Sequence, residues 1–223
     1  MVSAYSLLTL FMGMELMSLP IYALVAINRN KYLCVEAAMK YFVVGIMASG
    51  LLLYGMSMIY GATGTLSIPG IFHVLNQMNM HLHMLFVLGL VFSMVGIVFK
   101  LGAAPFHMWV PDVYEGAPTC VAMLLSNVPK IAGFALAIRL LVQAMPGLAL
   151  QWHEILILVA IVSMAIGNIV AIAQVNVKRM LAYSSIAHMG YMILGLACAT
   201  PDGDAAAMFY IVSYSVMTVA AFG

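Results

Sequence analysis

The sequence predicts an all-α polytopic membrane protein with about seven transmembrane helices, one of them discontinuous. Of the 223 residues, 65% are hydrophobic and only 7% are charged, whereas soluble domains carry about 25% charged residues. Mean hydropathy is +1.12. The apolar residues fall into runs close to the twenty or so residues that cross a hydrocarbon core of about 30 Å. One of these runs is interrupted by glycine and proline.

Seven apolar runs are long enough to cross a membrane. They cover 5–27, 38–60, 83–101, 118–142, 154–175, 180–199 and 205–223. A further apolar run, 104–115, is too short to cross alone. We therefore treat residues 1–223 as a single transmembrane domain. Because both ends of the chain lie in or beside apolar runs, we expect it to be truncated at both ends, an internal piece of a longer protein.

Basic residues near the connections gather on one side of the predicted membrane. They are Arg29, Lys31, Lys40, Lys178 and Arg179. The opposite connections, 61–80, 143–153 and 200–204, contain no lysine or arginine, and only Arg139, near the end of the fourth run, lies toward that side. The positive-inside rule then places the first connection in the cytoplasm. The segment 108–117, which carries Asp112 and Glu115, is predicted on the same side.

The third run reads as a broken helix. Residues 83 to 115 in one helix would measure about 50 Å, which is too long for one crossing. Gly102 and Pro105 favour a break, because glycine unwinds at low cost and proline lacks a backbone donor. Interrupted helices at mid-depth line protein or wet cavities and point to transport sites. Lys100 would end the first half, where the helix dipole favours a cation; the alternative is a kink with a snorkelling lysine.

Three charges lie deep inside apolar runs. Glu15, Lys100 and Lys130 each fall near the predicted midplane, where a charge costs about 2.5–3.5 kcal/mol on insertion scales. A lysine beside a glutamate keeps its proton, and a lysine removed from it in a low dielectric loses it. These residues therefore predict an ion or proton pathway. The alternative for each is one half of a structural ion pair.

A second group of candidates carries a weaker signal. Glu36 and Lys40 are spaced i,i+4, which is typical of a surface ion pair on a helix and also compatible with a proton path. His107, in the broken segment, and His188, in the sixth run, are candidate proton relays because imidazole exchanges protons near neutral pH. The alternative for both histidines is a hydrogen-bonded packing residue.

Other side chains predict neither a cofactor nor a metal in this chain. Trp109 and Tyr114 are typical of aromatic residues at the membrane interface. The isolated cysteines, Cys34, Cys120 and Cys198, suggest apolar packing residues. His73, His81 and His83 have no carboxylate or cysteine nearby, so we predict no metal site. A net charge of +1 without a basic stripe offers no nucleic-acid surface.

Long motifs resemble one family. The runs FKLGAAPFHMWVPDVYEGAPT (Phe99–Thr119) and SNVPKIAGFALAIRLL (Ser126–Leu141) are similar to subunit N of bacterial proton-pumping NADH:quinone oxidoreductase (complex I), an antiporter-like membrane subunit. The segments Phe11–Ala26, Glu36–Gly45 and Asn176–Leu196 fit the same subunit in the same order. The resemblance covers nearly the whole chain.

The resemblance implies a fold of about fourteen transmembrane helices with two inverted five-helix repeats, each holding a discontinuous helix. This chain would supply the fifth to eleventh helices, and the second broken helix would lie beyond Gly223. Glu15 matches the family's glutamate in the fifth helix, Lys100 the lysine at the break, and Lys130 the lysine that continues the hydrophilic axis. Glu36, His107 and His188 match polar positions of the family near this hydrophilic axis.

The resemblance also implies a function. The chain would belong to a translocase of the bacterial inner (cytoplasmic) membrane that moves protons as partner subunits reduce quinone. NADH, FMN, iron–sulfur clusters and quinone would bind in those partners, and other membrane-arm subunits and lipid would surround this chain. The first alternative is a subunit of a multi-subunit cation/proton antiporter. The second is a seven-helix receptor or structural membrane protein.

Overall fold

The computed structural model describes residues 1–77 and 83–223, which fold into helices joined by short connections. The α-helices are α1 (Leu7–Val25), α2 (Tyr32–Thr63), α3 (Ile68–Gln77), α4 (His83–Leu101), α5 (Trp109–Gly116), α6 (Thr119–Ala137), α7 (Ala149–Ile172), α8 (Val177–Ala197) and α9 (Pro201–Phe222). After α6 the chain continues as a π-helix, Ile138–Ala144, and a short 3-10 helix, Pro146–Leu148.

Seven helical segments of the described chain are long and apolar enough to cross a membrane, which confirms the predicted fold class. They are Leu7–Val25, Tyr32–Thr63, Met84–Leu101, Thr119–Ala144, Pro146–Ile172, Val177–Ala197 and Pro201–Phe222. The second of these segments, Tyr32–Thr63, is longer than the predicted run 38–60. It ends only at Gly64, whose left-handed φ of 69° lets the chain leave the helix without a Cβ clash.

Two further predictions, about a connection and about the start of a helix, are wrong. The segment 61–80 is not only a connection, because it holds α3 (Ile68–Gln77), which packs against the π-helix that follows α6. The helix after the break begins at Trp109 and not near residue 104, because residues 102–108 form turns. The half-helix α5 is therefore only 8 residues long.

Close contact between helices depends on glycine. The α2 and α4 axes approach where Gly55 faces Gly89, and a Cβ on Gly55 would lie 2.7 Å from the Gly89 carbonyl oxygen. The α7 and α8 axes approach in the same way, because a Cβ on Gly167 would lie 2.6 Å from the Ala187 amide nitrogen. Small residues that let backbones approach are the usual packing device between transmembrane helices.

The short helix α5 is buried among α2, α6 and α8. Its residues Val110, Val113 and Tyr114 are all fully buried, and Trp109 is nearly so. The prediction that Trp109 and Tyr114 are interface aromatics is therefore wrong. Both residues lie on α5, and protein surrounds this half-helix.

Candidate functional site

The break after α4 is built around Gly102. Its φ is +71°, a left-handed conformation that favours glycine, and a Cβ there would also lie 2.8 Å from Val110. The Gly102 amide donates to the Phe99 carbonyl at 2.9 Å, and the Ala103 amide donates to the Val98 carbonyl at 3.0 Å. These two bonds form a Schellman motif, which closes the helix while satisfying carbonyls that would otherwise be unpaired.

Two side chains hold the broken segment in place. The indole Nε1 of Trp109 donates to the Phe99 carbonyl oxygen at 3.2 Å, so α5 is tied directly to the end of α4. On the other side, the Ser163 hydroxyl on α7 accepts the Ala104 amide at 2.9 Å. The backbone groups that leave the helix at the break are thus bonded to other protein groups, as a low dielectric requires.

Lys100 lies in the last turn of α4, as predicted, and only 3% of the residue is exposed. Its ammonium donates to the Ser18 hydroxyl at 2.8 Å and lies 3.9 Å from Oε1 of Glu15. Ser49 of α2 donates to the same Oε1 at 2.6 Å. Because Lys100 is buried and bonded inside the protein, the alternative of a snorkelling lysine is excluded.

The Lys100–Glu15 separation is longer than a hydrogen bond. At 3.9 Å the two groups attract each other electrostatically, but a proton cannot pass directly between them at this distance. Ser18 donates its own hydroxyl hydrogen to the Met14 carbonyl at 2.9 Å, so its oxygen is left to accept from Lys100. A small movement of either charged side chain, or a bridging water, would change this contact.

Lys130, on α6, occupies a second polar cluster. It is 1% exposed and donates to the hydroxyls of Ser185 on α8 and Tyr214 on α9, the latter at 3.2 Å. None of the ion pairs between described residues includes Lys130. The Tyr114 and Tyr214 rings lie beside its ammonium, with centroids 5.9 Å and 5.1 Å away.

His188 belongs to the Lys130 cluster. Its Nδ1 lies 2.7 Å from the Tyr210 hydroxyl, and its ring centroid is 5.3 Å from that of Tyr214, which Lys130 also contacts. His107 belongs to neither cluster. It is buried, and its Nδ1 has no hydrogen-bond partner among the described residues.

The structure therefore divides the predicted path into two clusters. Glu15 and Lys100 are brought together, and Lys130 and His188 are brought together through Tyr214. Among the described residues, no direct hydrogen bond or ion pair joins the first cluster to the second. A proton moving between Lys100 and Lys130 would need water or a conformational change.

Glu36 and Lys40 lie in a third, surface cluster. Their side chains form the expected i,i+4 ion pair at 2.8 Å, and Lys40 also reaches Asp112 on α5 at 2.8 Å. From α8, Arg179 bridges Asp112 at 2.9 Å and Glu115 at 2.8 Å. These contacts confirm that residues 108–117 lie on the same side as the two basic connections.

The electrostatics of Asp112 follow from this position. Partial burial alone would raise the pKa of the Asp112 carboxyl, but hydrogen bonds from Lys40 and Arg179 outweigh that effect and lower the pKa below its usual range. Asp112 is therefore ionised in the folded protein and ties α5 to α2 and α8. A cavity of about 240 Å³ opens beside this cluster.

The remaining candidates are not assembled into a site. Cys34 is buried, as a packing residue would be, but Cys120 and Cys198 are exposed, so that prediction is wrong for two of the three cysteines. Within residues 1–77 and 83–223, no three histidine, cysteine or acidic residues are grouped to hold a metal. Of the three neighbouring histidines, His81 lies outside the described residues.

Several polar residues of the clusters were not predicted as site residues from the sequence. They are Ser18, Ser49, Ser185, Tyr210, Tyr214, Asp112, Glu115 and Arg179. Helical spacing carries a signal for some of them, because Ser18 follows Glu15 by three residues and Ser185 precedes His188 by three. Ser49 and Tyr214 carry no such signal, since their partners lie on other helices.

Fold and site together define a class: a multi-pass helical membrane protein with a broken helix and charged groups buried at the break. The family model for "NADH:quinone oxidoreductase/Mrp antiporter, TM" matches residues 4–223. The chain belongs to this family of membrane proteins.

Individual relatives agree with the motif resemblance. The chain is 60% identical over 223 residues to the NADH-quinone oxidoreductase subunit N of Coxiella burnetii, covering 100% of this chain and 46% of the relative. A chain of respiratory complex I from Thermus thermophilus with bound aureothin is 39% identical, with a TM-score of 0.82 over 99% of this chain and 46% of that one. The resemblance to subunit N is therefore confirmed.

A chain of the Mrp complex from Dietzia sp. shares the fold, with a TM-score of 0.88 and 24% identity over 98% of this chain and 40% of that one. The chain spans about half the length of the curated relatives it matches.

Proposed function

We propose that this chain forms part of a proton-translocating membrane subunit of a respiratory NADH:quinone oxidoreductase. The observation that carries the proposal is the buried Lys100–Glu15 pair at the end of the broken helix. An intramembrane charge pair next to unwound backbone is a typical setting for ion transfer. The similarity to subunit N over the whole chain supports the same activity.

In this proposal Lys100 alternates between two protonation states. With Glu15 close, the carboxylate stabilises the ammonium. When the pair separates, burial favours the neutral amine, and the proton leaves toward the second cluster. There Lys130 accepts it, with His188 as the next relay through Tyr214. Glu36, Lys40 and His107 remain candidates for the entry side of the route.

Redox chemistry is assigned to partner subunits in this proposal. NADH, FMN, iron–sulfur clusters and quinone would bind there, and the energy of quinone reduction would reach this chain through its contacts with other membrane-arm subunits. The chain would reside in a bacterial inner membrane. The similarity to a chain of Thermus thermophilus respiratory complex I supports this setting.

The test uses the full-length subunit in its assembled complex. Lys100→Ala and Glu15→Gln remove one member of the pair each, and we expect the proton-transfer step to slow by about tenfold or more. Proton uptake and NADH oxidation are measured together in inverted membrane vesicles. Lys31→Ala, at the start of α2 and outside both buried clusters, is the matched control. Undiminished proton uptake in an assembled Lys100→Ala complex would refute the proposal.

A cation/proton antiporter subunit is the second candidate, and the shared fold with a chain of the Mrp complex favours it. The same vesicles separate the two. NADH-driven proton uptake supports the first candidate, whereas sodium-driven proton release that disappears in Lys100→Ala supports the second.

A further inference from the structure

Lys130 is buried in a different environment from Lys100. Lys100 has a carboxylate within 3.9 Å, whereas Lys130 takes part in none of the ion pairs between described residues. Its hydrogen-bond partners, Ser185 and Tyr214, are neutral hydroxyls. A buried ammonium is costly unless other groups replace its hydration. The charged form of Lys130 therefore requires another stabilising feature in the site.

Two tyrosine side chains supply the feature that stabilises the Lys130 ammonium. The Nζ atom of Lys130 lies 5.9 Å from the centroid of the Tyr114 ring and 5.1 Å from that of the Tyr214 ring. The Tyr114 distance falls within the range of about 6 Å over which a ring face attracts a cation. Tyr214 acts differently, because its hydroxyl lies 3.2 Å from the Nζ atom, which places Nζ beyond the hydroxyl edge of this ring and not over its face. Both tyrosines are buried, so water does not weaken the attraction.

We propose that the Tyr114 ring face and the Tyr214 hydroxyl form a cage that stabilises the protonated form of Lys130 in place of a carboxylate. The proposal rests on the proton-translocating function proposed above, and it adds two positioning residues to that function. Tyr114 lies on α5, the half-helix after the break, and Tyr214 lies on α9. The charged state of Lys130 therefore depends on the position of α5 relative to α6.

Other charged groups near α6 are already engaged elsewhere. The helices packed against α6 are α1, α4, α5 and α9. Their ionisable groups include Glu15, Tyr22, Lys100, Asp112, Tyr114, Glu115, Asp202, Asp204, Tyr210 and Tyr214, and α8 and the π-helix add Lys178, Arg179, Tyr183, His188, Tyr191 and Arg139. Asp202 and Asp204 lie in the first turn of α9, ten or more residues before Tyr214. Glu15 pairs with Lys100, and Asp112 and Glu115 pair with Lys40 and Arg179. His188 bonds Tyr210 and would add no negative charge to the cage.

The experiment compares the loss of a hydroxyl with the loss of a ring. Tyr114→Phe keeps the ring face and Tyr114→Leu removes it, each in the full-length subunit of the assembled complex. Proton uptake per NADH oxidised is measured across alkaline pH. We expect the Phe variant to follow the parent profile. In the Leu variant, the alkaline loss of proton uptake should move to lower pH by about one unit.

Two further variants make the outcome decisive. Tyr214→Leu removes the hydroxyl on α9 that accepts a hydrogen bond from Lys130, and it should shift the profile in the same direction; it tests the cage if Tyr114→Leu does not assemble. Tyr54→Leu is the control, because this exposed tyrosine on α2 packs against Phe92 away from both lysines. Its profile should match that of the parent.

A Lys130→Gln background shows whether the shift belongs to Lys130. Because the proposed function makes Lys130 a proton acceptor, Lys130→Gln should lose proton uptake at every pH, and adding Tyr114→Leu should change nothing further. If Tyr114→Phe and Tyr114→Leu give the same pH profile of proton uptake while Lys100→Ala still impairs proton uptake, the cage is wrong and the proposed function stands. A shift that persists in Lys130→Gln would also overturn the cage. Normal proton uptake in Lys100→Ala would instead count against the proposed function.

Discussion

Lys100 and Lys130 are buried cations with different partners. Lys100 lies 3.9 Å from the carboxylate of Glu15 and donates to the Ser18 hydroxyl at the end of α4. Lys130 faces hydroxyls and aromatic rings. A carboxylate responds strongly to separation, whereas a ring face is a fixed and weaker attraction. In the proposed function, this difference assigns switching to Lys100 and proton acceptance to Lys130.

Asp112 gives a prediction about pH. Because the pKa of Asp112 is lower in the folded protein than in the unfolded chain, its ion pairs stabilise the fold above the unfolded pKa. That stabilisation is lost as the pH falls through the folded pKa. We expect Asp112→Asn to lower the free energy of unfolding by about 1 kcal/mol or less near neutral pH, since the group is partly exposed.

Thermal unfolding of the purified full-length protein, followed from about pH 7 to about pH 3, measures the Asp112 effect. The Asn variant should start less stable and lose less stability on acidification. Glu154→Gln is the control, because Glu154 is exposed and takes part in none of the described ion pairs. Equal acid dependence in the parent and in Asp112→Asn would contradict the assignment.

At the scale of elements, α5 connects all three clusters although it has only 8 residues. Trp109 binds the carbonyl next to Lys100, Tyr114 faces Lys130, and Asp112 and Glu115 join the surface ion pairs. A short helix cannot be stable alone, so tertiary contacts hold it. Any displacement of α5 would reach both buried lysines.

The contact between α2 and α4 gives a prediction about packing. Gly55→Val should destabilise the protein by about 1–3 kcal/mol, because the first added carbon would lie 2.5 Å from the Ser93 hydroxyl and 2.7 Å from the Gly89 carbonyl oxygen. Gly50→Val, on the same helix, is the matched control, since nothing lies within 4 Å of its added carbon. Melting temperatures of the purified full-length variants make the comparison, and equal values would show that the helices can move apart freely.

At the scale of the whole molecule, orientation in the membrane remains a prediction from charge. Two native cysteines test it, because Cys120 and Cys198 are exposed. Cys120 follows the start of α6, on the side of Lys178 and the surface ion pairs, and Cys198 follows the opposite end of α8. The positive-inside rule therefore places Cys120 at the cytoplasmic side and Cys198 outside.

Single-cysteine versions of the full-length protein, treated in intact spheroplasts with a membrane-impermeant maleimide, report the orientation. Cys198 should react from outside, and Cys120 should react only after the cells are opened. A version with every cysteine replaced by serine, Cys34 included, controls for background labelling. The reverse pattern would invert the predicted topology.

Much of the architecture was predictable because the solvent imposes it. Seven runs of suitable length, a glycine–proline break and one-sided basic residues depend on residue type and position in the chain alone. The short helix α3 was missed, because its length and mixed polarity give no membrane signal. Treatment of residues 1–223 as one domain stays a prediction.

By itself, the sequence determined that three charged residues lie inside a helical membrane protein and that one helix breaks beside Lys100, since burial of charge and loss of a backbone donor follow from residue identity. Only the tertiary structure decided that Glu15 pairs with Lys100 while Lys130 lies among tyrosines, and that Trp109 and Tyr114 are buried. Contacts between helices depend on how their faces rotate toward one another, and residues far apart in the chain determine that rotation together.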